Sequence, residues 1–383
     1  MRKYSDEQLA AINSKSKHTA VIAGAGSGKT TVLIQRIKKL LDDNVISSEI
    51  LAITFTKKAA IEMRERLKNN DVLIKTFDSF CYQLLNDKTI KFVEDNINFS
   101  SKEILSFSLY DINLKQGLKP KRYDDYEKYK NENSILDFND LEYKALEIIK
   151  NKKITYNYIL IDEFQDTNSL QYQIFISLIN KNTQTFVVGD PDQSIYGFRG
   201  ADFTIINKFI KKYDSSVIIL KNNYRSTNEI VKSANSLIDF NVNRISKKLS
   251  VIKKEVGMIK YYGFNNDIEE YRFIINMYLS IKVEYQTFAI LFRNHEQGFL
   301  YKKYFYNNHE VSVLSIHESK GLEFDVVFLI GLNKNTFPSI INNQNLEIEE
   351  ERRLMFVAVT RAKTRLYLTS SNKKSKFIKE LKI

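Results

Sequence analysis

The sequence is poor in two residue types that mark special classes of protein. Its 383 residues include one cysteine and three prolines. The single thiol, Cys81, cannot form an internal disulfide, which excludes a disulfide framework and fits a reducing compartment, so we expect a cytoplasmic protein. The low proline content excludes a Pro-rich linker.

Membrane and metal-cluster signals are equally scarce. No apolar run approaches the roughly 18 residues that a membrane helix needs, and residues 1–18 lack the apolar stretch of a secretory signal. One cysteine and four scattered histidines do not provide a zinc cluster. We therefore expect a soluble protein with no membrane partner.

The length and net charge of the chain indicate the number of domains and the kind of partner. A chain of 383 residues exceeds the size at which one core keeps growing, so two or more domains are expected. The net charge of +12 indicates a polyanionic partner such as nucleic acid. Lysine greatly outnumbers arginine, and translation of an AT-rich genome explains the charge equally well, so charge alone leaves both explanations open.

Short β-branched runs alternate with helical patterns, which is typical of α/β proteins with parallel sheets. Strands are predicted at residues 19–23, 51–54, 158–161, 185–188, 217–220, 288–292, 311–316, 326–330 and 366–369. These are too many for one small sheet. Residues 85–155 show no obvious strand, and Phe138, Leu141, Ala145, Ile148 and Ile149 follow helical spacing, which predicts a helical insertion.

The clearest chemical motif is a glycine-rich loop between a predicted strand and a predicted helix. It consists of Ala23, Gly24, Ala25, Gly26, Ser27, Gly28, Lys29 and Thr30. This is the P-loop pattern with alanine in place of the first glycine, and its backbone N–H groups are expected to surround phosphates at a helix N-terminus. Lys29 is expected to reach the β- and γ-phosphates, and the Thr30 hydroxyl to bind Mg²⁺.

A pair of acids follows the predicted strand at 158–161. We expect Asp162 to hold Mg²⁺ and Glu163 to orient and deprotonate the attacking water. The carboxyl ends of parallel strands form the edge at which nucleotides bind. Adjacent acids also occur as solvated caps, and the two motifs alone are compatible with a P-loop kinase or a GTPase-like switch.

Further motifs resemble the UvrD/Rep/PcrA-like helicases of superfamily 1. In chain order they read YSDEQ at 4–8, ITFTKKAA at 53–60, DEFQDTN at 162–168, GDPDQSIYGFRGA at 189–201, NYRST at 223–227, IHESKGLEF at 316–324 and EEERRLMFVAVTRAK at 349–363. The resemblance therefore covers nearly the whole chain. It implies two RecA-like P-loop NTPase domains: 1A at 1–85 and 152–215, with the helical insertion 1B at 86–151, and 2A at 216–383.

The resemblance also implies roles around the nucleotide. Gln8 would read the adenine edge, Tyr224 would stack on the base, Glu323 would hold the ribose, Gln193 would sense the γ-phosphate, and Arg225 and Arg361 would be arginine fingers. In the family the fingers come from the second RecA-like domain, so hydrolysis is coupled to domain closure.

Single-strand binding without sequence preference needs aromatic platforms and a basic groove. We expect Phe55, Tyr196 and Phe198 to be the platforms, with Arg199 and His317 near the backbone. The expected partner is single-stranded DNA or a single/double-strand junction, with RNA left open by the residues alone. By resemblance, movement is 3′ to 5′.

Four departures limit the transfer of family roles. Phe198 stands where the family has tryptophan, Asp78 where many relatives have histidine, and Thr31 where many have arginine. An acid at position 78 would repel DNA phosphates. The large helical domain 2B of the relatives is predicted to be absent, or reduced to about residues 298–310.

The functional prediction is an ATP-dependent single-stranded DNA translocase and helicase that uses Mg²⁺. The alternative is an ATP-switched nucleic-acid-binding subunit of a repair, recombination or phage-defence complex that needs a partner to unwind. Retention of Glu163, Gln193 and both candidate fingers favours an active ATPase. The predicted loss of domain 2B favours a protein partner that replaces its function.

Overall fold

A computed structural model describes residues 4–69, 71–94, 98–339 and 345–383, with the backbone alone at 345 and 346. The helices are α1 Asp6–Ile12, α2 Lys29–Asp42, α3 Lys57–Leu67, α4 Phe77–Leu85, α5 Ser101–Ile112, α6 Tyr123–Asn133, α7 Phe138–Lys152, α8 Ser169–Ser177, α9 Ile205–Tyr213, α10 Asn228–Ile238, α11 Asp267–Ile281, α12 Phe299–Tyr304, α13 Asn345–Val359 and α14 Phe377–Glu380. Within these described ranges no helix is both long and apolar enough to cross a bilayer.

The strands fall into two main sheets and two short ladders. They are β1 His18–Ala23, β2 Ile50–Ile53, β3 Leu73–Lys75, β4 Lys91–Phe92, β5 Ile135–Leu136, β6 Tyr158–Ile161, β7 Gln184–Gly189, β8 Ser216–Leu220, β9 Asn222–Asn223, β10 Ser250–Val251, β11 Met258–Gly263, β12 Phe288–Phe292, β13 Val311–Ser315, β14 Phe324–Leu329 and β15 Ala362–Ser370. Every predicted strand is present. Six strands were not predicted, because β3, β4, β5, β9 and β10 have only two or three residues and the residues of β11 show no alternation between buried and exposed.

The first main sheet has the strand order β3-β2-β6-β7-β1-β8. The pairings of β1 with β7, β2 with β3 and β6, and β6 with β7 are parallel. Strands β2 and β6 are almost entirely buried, as expected for a parallel sheet covered on both faces. Parallel pairing brings the carboxyl ends of these strands to one edge.

Helix starts in this part of the chain are fixed by side-chain caps. The hydroxyls of Thr56 and Thr76 accept from the third backbone N–H of α3 and α4. Capping boxes begin α1 at Ser5 and α8 at Asn168. Each of these helices therefore starts at a fixed distance from the strand or loop before it.

The region predicted as a helical insertion, residues 86–151, contains the helices α5 and α6 and most of α7, together with the two-residue ladder of β4 and β5. Its centre is an aromatic cluster of Phe107, Tyr123 and Tyr126. Lys130 is buried and pairs with Asp137 at 2.9 Å. Phe138, which shares the helical spacing of the apolar residues of α7, is 60% exposed.

The second main sheet has the order β11-β15-β14-β12-β13, and its pairings are parallel. Its core contains Phe288, Phe292, Phe328 and Tyr367. The rings of Phe328 and Tyr367 stack with centroids 5.1 Å apart. The predicted fold class, two parallel α/β sheets with a helical insertion in the first half, is therefore confirmed.

The chain divides into two compact units. Unit 1 comprises the residues up to Ile22, Lys29–Pro191 and Tyr196–Ile219, and unit 2 comprises Ala23–Gly28, Asp192–Ile195 and Leu220–Ile383. Unit 2 therefore includes two short pieces from the first half of the chain. One is most of the P-loop, Ala23–Gly28, and the other is Asp192–Ile195. The domain boundaries proposed from the sequence stay predictions.

A buried acid in unit 1 generates a test of pH-dependent stability. Glu142 on α7 is 2% exposed, and Gln171 donates to its Oε1 at 2.8 Å. Burial, followed by the charge of Asp78, raises the pKa of Glu142 to about 8. The folded protein therefore holds this proton more tightly than the unfolded chain, so stability falls as pH rises from the ordinary glutamate range toward 8.

We expect Glu142→Gln to remove this loss while keeping the acceptor for Gln171. The variant should be more stable than the original protein by about 2 kcal/mol or more near pH ~9, since each pKa unit corresponds to about 1.4 kcal/mol. The two proteins should converge near pH ~4. Thermal unfolding across this range measures the difference, and a difference independent of pH would contradict a buried, titrating Glu142.

Candidate nucleotide and nucleic-acid sites

The carboxyl edge of the first sheet collects the candidate residues of unit 1. Asp162 follows β6, Thr54 and Phe55 follow β2, and Thr76 follows β3. The backbone N–H of Asp162 donates to the carbonyl of Ile53 at 2.9 Å, which ties two of these loops together. Ligands of open parallel sheets bind at this edge.

Four predicted phosphate and metal residues come together at this edge. The Nζ of Lys29 lies 3.4 Å from Oε2 of Glu163. The hydroxyl of Thr30 donates to Oδ2 of Asp162 at 3.2 Å. Lys29 and Thr30 are the first residues of α2, so an ammonium, a hydroxyl and two carboxylates meet at one helix N-terminus.

Glu163 has an unusual backbone conformation. Its φ angle is 51°, in the left-handed region that non-glycine residues rarely occupy. Gln165 donates from Nε2 to Glu163 Oε2 at 2.6 Å, and its own Oε1 accepts from the N–H of Asp190 at 2.8 Å. Gln165 therefore joins the loop after β6 to the loop after β7. Strained residues of this kind are concentrated at functional sites.

Asp162 is 4% exposed. Burial, and then the neighbouring Glu163 carboxylate, raise its pKa well above the usual aspartate range. A cation at this position would favour the charged form, and the oxygen atoms of Thr30 and Asp162 are the hard ligands that Mg²⁺ prefers. The donor set therefore fits a magnesium ion.

The rest of the P-loop is described within unit 2. Gly26 and Gly28 have φ angles of 67° and 85°, which glycine adopts without strain. The side chain of Asn223 donates to the carbonyl of Ala25 at 2.8 Å, and the N–H of Tyr224 donates to the carbonyl of Gly26 at 2.9 Å. A Cβ atom at Gly26 would lie 2.8 Å from Cβ of Arg225, so any larger residue would distort the loop.

A polar cluster in unit 2 contains two further predicted residues. Gln193 is buried, and its Oε1 accepts from Arg361 Nη2 at 3.5 Å. The Gln193 carbonyl accepts from Lys320 Nζ at 2.8 Å. Arg361 is 2% exposed and also donates to the carbonyl of Leu322 at 3.0 Å. Arg361 is thus held rigidly by carbonyl groups.

Arg225 and Glu323 are paired with each other. Nε of Arg225 donates to Oε2 of Glu323 at 2.8 Å, and its Nη1 donates to the carbonyl of Thr360 at 3.0 Å. Lys363 lies 3.6 Å from the other oxygen of Glu323. Burial acts to raise the pKa of Glu323, but the positive neighbours Arg225 and Lys363 outweigh it and hold this pKa below its usual range.

Gln8 and Thr31 have local partners in unit 1. The Oε1 of Gln8 accepts from the N–H of Ser5 at 3.1 Å and completes the capping box of α1. The hydroxyl of Thr31 accepts from Arg66 Nη2 at 3.0 Å. The guanidinium of Arg66 on α3 therefore lies beside Thr31, the position at which many relatives carry an arginine of their own.

The predicted strand-binding aromatics of unit 1 form a continuous surface. The rings of Phe55 and Tyr196 stack with centroids 5.0 Å apart, and Tyr196 and Phe198 lie 6.2 Å apart. Arg199 lies over the rings of Tyr196 and Phe198, at 5.8 and 5.5 Å from their centroids. Phe198 is 45% exposed, and none of these three rings is a fully buried core residue.

Phe55, Tyr196 and Arg199 of this surface line a cleft of about 830 Å³, and part of its wall comes from the insertion. Phe92 and Phe138 stand on that side, with stacked rings 5.2 Å apart. The ladder that pairs Phe92 with Leu136 brings Phe92 beside Phe138. Sequence patterns missed Phe92, which follows no periodic signal, and placed Phe138 only on a predicted helix.

His317 belongs to unit 2, whereas the other four predicted strand-binding residues belong to unit 1. It follows β13 and is half-buried, and its carbonyl accepts from the N–H of Lys320 at 3.2 Å. Lys320 therefore links His317 and Gln193, because its backbone N–H donates to the first and its Nζ to the carbonyl of the second. The sequence motifs did not indicate this role for Lys320.

Comparison with known families matches both halves of the chain. The UvrD/REP helicase N-terminal domain matches residues 4–115 and 98–214. The UvrD-like helicase C-terminal domain matches residues 218–309 and 302–373. The second match falls into two pieces that meet at 302–309, inside the segment where a reduced domain 2B was predicted.

Curated relatives include the ATP-dependent DNA helicase PcrA of Bacillus subtilis (strain 168), 34% identical over 351 residues that cover 76% of this chain and 47% of the relative. PcrA of Staphylococcus aureus (strain Mu50) is 34% identical over 349 residues, covering 76% of this chain and 48% of the relative. DNA helicase II of Haemophilus influenzae is 32% identical over 353 residues, with the same two shares.

The chain thus spans about half the length of the curated relatives it matches. Its two parallel sheets agree with the RecA-like fold of the matched domains. With both the N- and the C-terminal domain matched in order, the chain belongs to the UvrD-like helicase family.

Proposed function

We propose that this protein is an ATP-dependent translocase and helicase that moves on single-stranded DNA from 3′ to 5′. The observation that carries the proposal is the meeting of Lys29, Thr30, Asp162 and Glu163 at the carboxyl edge of the first sheet. The same unit carries an aromatic cleft with an arginine over its rings. A phosphate site and a strand-binding surface on one unit are what a nucleic-acid motor requires.

In this proposal the P-loop backbone and Lys29 hold the phosphates of ATP. Thr30 and Asp162 hold Mg²⁺, which neutralises phosphate charge when bound. Glu163 orients the attacking water and takes its proton, and the hydrogen bond from Gln165 Nε2 orients its carboxylate. Gln193 contacts the γ-phosphate, and Arg225 and Arg361 neutralise the charge that develops during transfer.

The remaining nucleotide contacts follow the family pattern. Gln8 recognises the adenine, Tyr224 stacks on it, and Glu323 binds the ribose. Glu323 already pairs with Arg225 in the structure, so ribose binding requires exchange of that ion pair. The ion pair is partly open to solvent, which keeps the cost of the exchange low.

The strand is proposed to lie in the cleft of unit 1. Its bases stack on Phe55, Tyr196 and Phe198, while Arg199 contacts the backbone. His317 contacts the backbone from unit 2. Stacking is independent of base identity because every base has an aromatic face, which suits a motor that must pass over any sequence.

A second candidate function is an ATP-switched subunit that needs a protein partner for unwinding. It is favoured by one observation: the match to the C-terminal helicase domain is split into two pieces, 218–309 and 302–373, where relatives were expected to carry domain 2B. Such a subunit would bind strand and nucleotide without sustained turnover. ATP hydrolysis by the isolated protein separates the two functions.

Glu163→Gln tests the proposed chemistry. It removes the general base but keeps an acceptor for Gln165, so we expect ATP hydrolysis to fall by about a hundredfold or more, with ATP binding retained. The measurement is steady-state ATP hydrolysis with and without an oligo-dT strand. The original protein should be strongly stimulated by the strand, and the variant should not.

Glu65→Gln provides the matched control, because it makes the same chemical change at an exposed position of α3. It should hydrolyse ATP like the original protein. Equal and low turnover with and without strand would contradict the autonomous motor and favour the switch subunit.

Phe55→Ala tests the strand-binding surface. Loss of one stacking platform is expected to weaken oligo-dT binding by about tenfold, within the range of 1–3 kcal/mol per stacked base. Fluorescence anisotropy with a labelled strand measures the affinity. Phe240→Ala, at a ring that is 51% exposed in unit 2, is the control and should bind normally. Unchanged affinity in Phe55→Ala would remove this ring from the binding surface.

A further inference from the structure

A smaller pocket of about 350 Å³ adjoins the aromatic cleft of unit 1. Its walls include four aromatic rings and one carboxylate: Phe55, Tyr82, Phe92, Phe138 and Asp78. All of these except Tyr82 also line the larger cleft. A strand that stacks on Phe55 is therefore next to this pocket, so a base can enter it without leaving the proposed binding surface.

Asp78 is the only acid among the residues that line the smaller pocket. Its exposed side chain lies in the first turn of α4, and it forms no hydrogen bond or ion pair with any residue in the described parts of the chain. The apolar surroundings raise the pKa of Asp78, and the charge of Lys57 partly offsets this effect. The carboxylate oxygens are thus available to a ligand.

The surroundings of Asp78 decide which ligand group suits it. The buried Glu142 carboxyl lies close enough for the Asp78 charge to raise its pKa. A negative group directly against the Asp78 carboxylate is disfavoured, and the ammonium of Lys57, which lines the same pocket, is the group there that would attract a DNA phosphate. An N–H donor is favoured, because hydrogen bonds to a carboxylate are stronger than bonds between neutral groups.

Among the bases, guanine presents the best match to a carboxylate. Its Watson–Crick edge offers two adjacent donors, N1–H and the N2 amino group. Adenine and cytosine offer one amino group beside an acceptor, and thymine offers one N–H between two carbonyl groups. Single-stranded bases are commonly read on this edge while their faces stack on aromatic rings.

We propose that this pocket takes one base of the bound strand and that Asp78 selects guanine through its N1–H and N2 amino groups. The proposal rests on the proposed function, since it needs a single strand in the cleft of unit 1. It gives the motor a preference for guanine-containing strands, in addition to the stacking that accepts every base.

A simpler role for Asp78 is local. A carboxylate in the first turn of a helix is stabilised by the positive end of the helix dipole. That role needs only the charge at the N-terminus of α4, and it does not distinguish one base from another. Base discrimination is therefore the readout that separates the two roles.

The experiment compares three strands of equal length: repeats of dT-dT-dG, repeats of dT-dT-dI, and all dT. Inosine lacks only the N2 amino group of guanine. Fluorescence anisotropy should show that the dG strand binds about fivefold or more tightly than the all-dT strand, with the dI strand between them, as expected for a two-donor contact.

Asp78→Asn and Asp78→His should bring the dG-to-dT affinity ratio close to one. Asp71→Asn is the matched control, because Asp71 is exposed and lines neither pocket. It should keep the ratio of the original protein. Melting temperatures of all variants establish that they are folded.

Equal binding of the dG and all-dT strands by the original protein would overturn the guanine site while leaving strand binding intact. Equal binding of the dG and dI strands would overturn the two-donor contact, and this comparison needs no variant. Failure to bind any of the three strands would instead overturn the proposed function.

Discussion

The parallel register of the first sheet is the constraint on which the candidate sites of unit 1 depend. Because β2, β3, β6 and β7 run in the same direction, the residues that follow them meet at one edge. Residues as distant in sequence as Thr30 and Asp162 are thereby brought within hydrogen-bonding distance. A shift of one residue in any of these strands would turn the following side chain to the other face.

The same edge carries groups that oppose folding. Asp162 is buried beside another acid, and Glu163 has a left-handed backbone conformation. Both features cost free energy in the protein without ligand. A cation bound beside the two carboxylates would lower the cost of burying their charge. Gln165 supports this region by joining the loops after β6 and β7, so the strained residue is held by hydrogen bonds on both sides.

Much of the fold could be predicted from the sequence because its main strands are continuous apolar runs. The pattern of β12 gave its bounds, 288–292, correctly. Strand β11 was missed because its buried and exposed residues follow no clear period. The two-residue ladder of β4 and β5 was missed because pairing so short has no local signal, and it exists only through its tertiary neighbours.

The residues of the candidate sites also include some that the sequence predicts and some that it does not. The proximity of motif residues such as Lys29 and Glu163 could be predicted because both follow strands of one parallel sheet, while their chemical roles stay predictions. Residues that reach the candidate sites from another element, outside any motif, could not be predicted from the sequence. Arg66 reaches Thr31 from another helix, and Phe92 meets Phe138 across the insertion. Phe138 has the helical spacing of the apolar residues of α7, yet it is the first residue of that helix and is 60% exposed, with its ring stacked on Phe92.

The central claim is that ATP hydrolysis moves this protein along a single strand in one direction. Stopped-flow fluorescence with a dye at either end of oligo-dT strands of increasing length tests it most directly. The account predicts that after ATP addition the signal from a 5′ dye arrives with a delay that grows linearly with strand length, whereas a 3′ dye gives no such delay. A signal independent of strand length at both ends would contradict it.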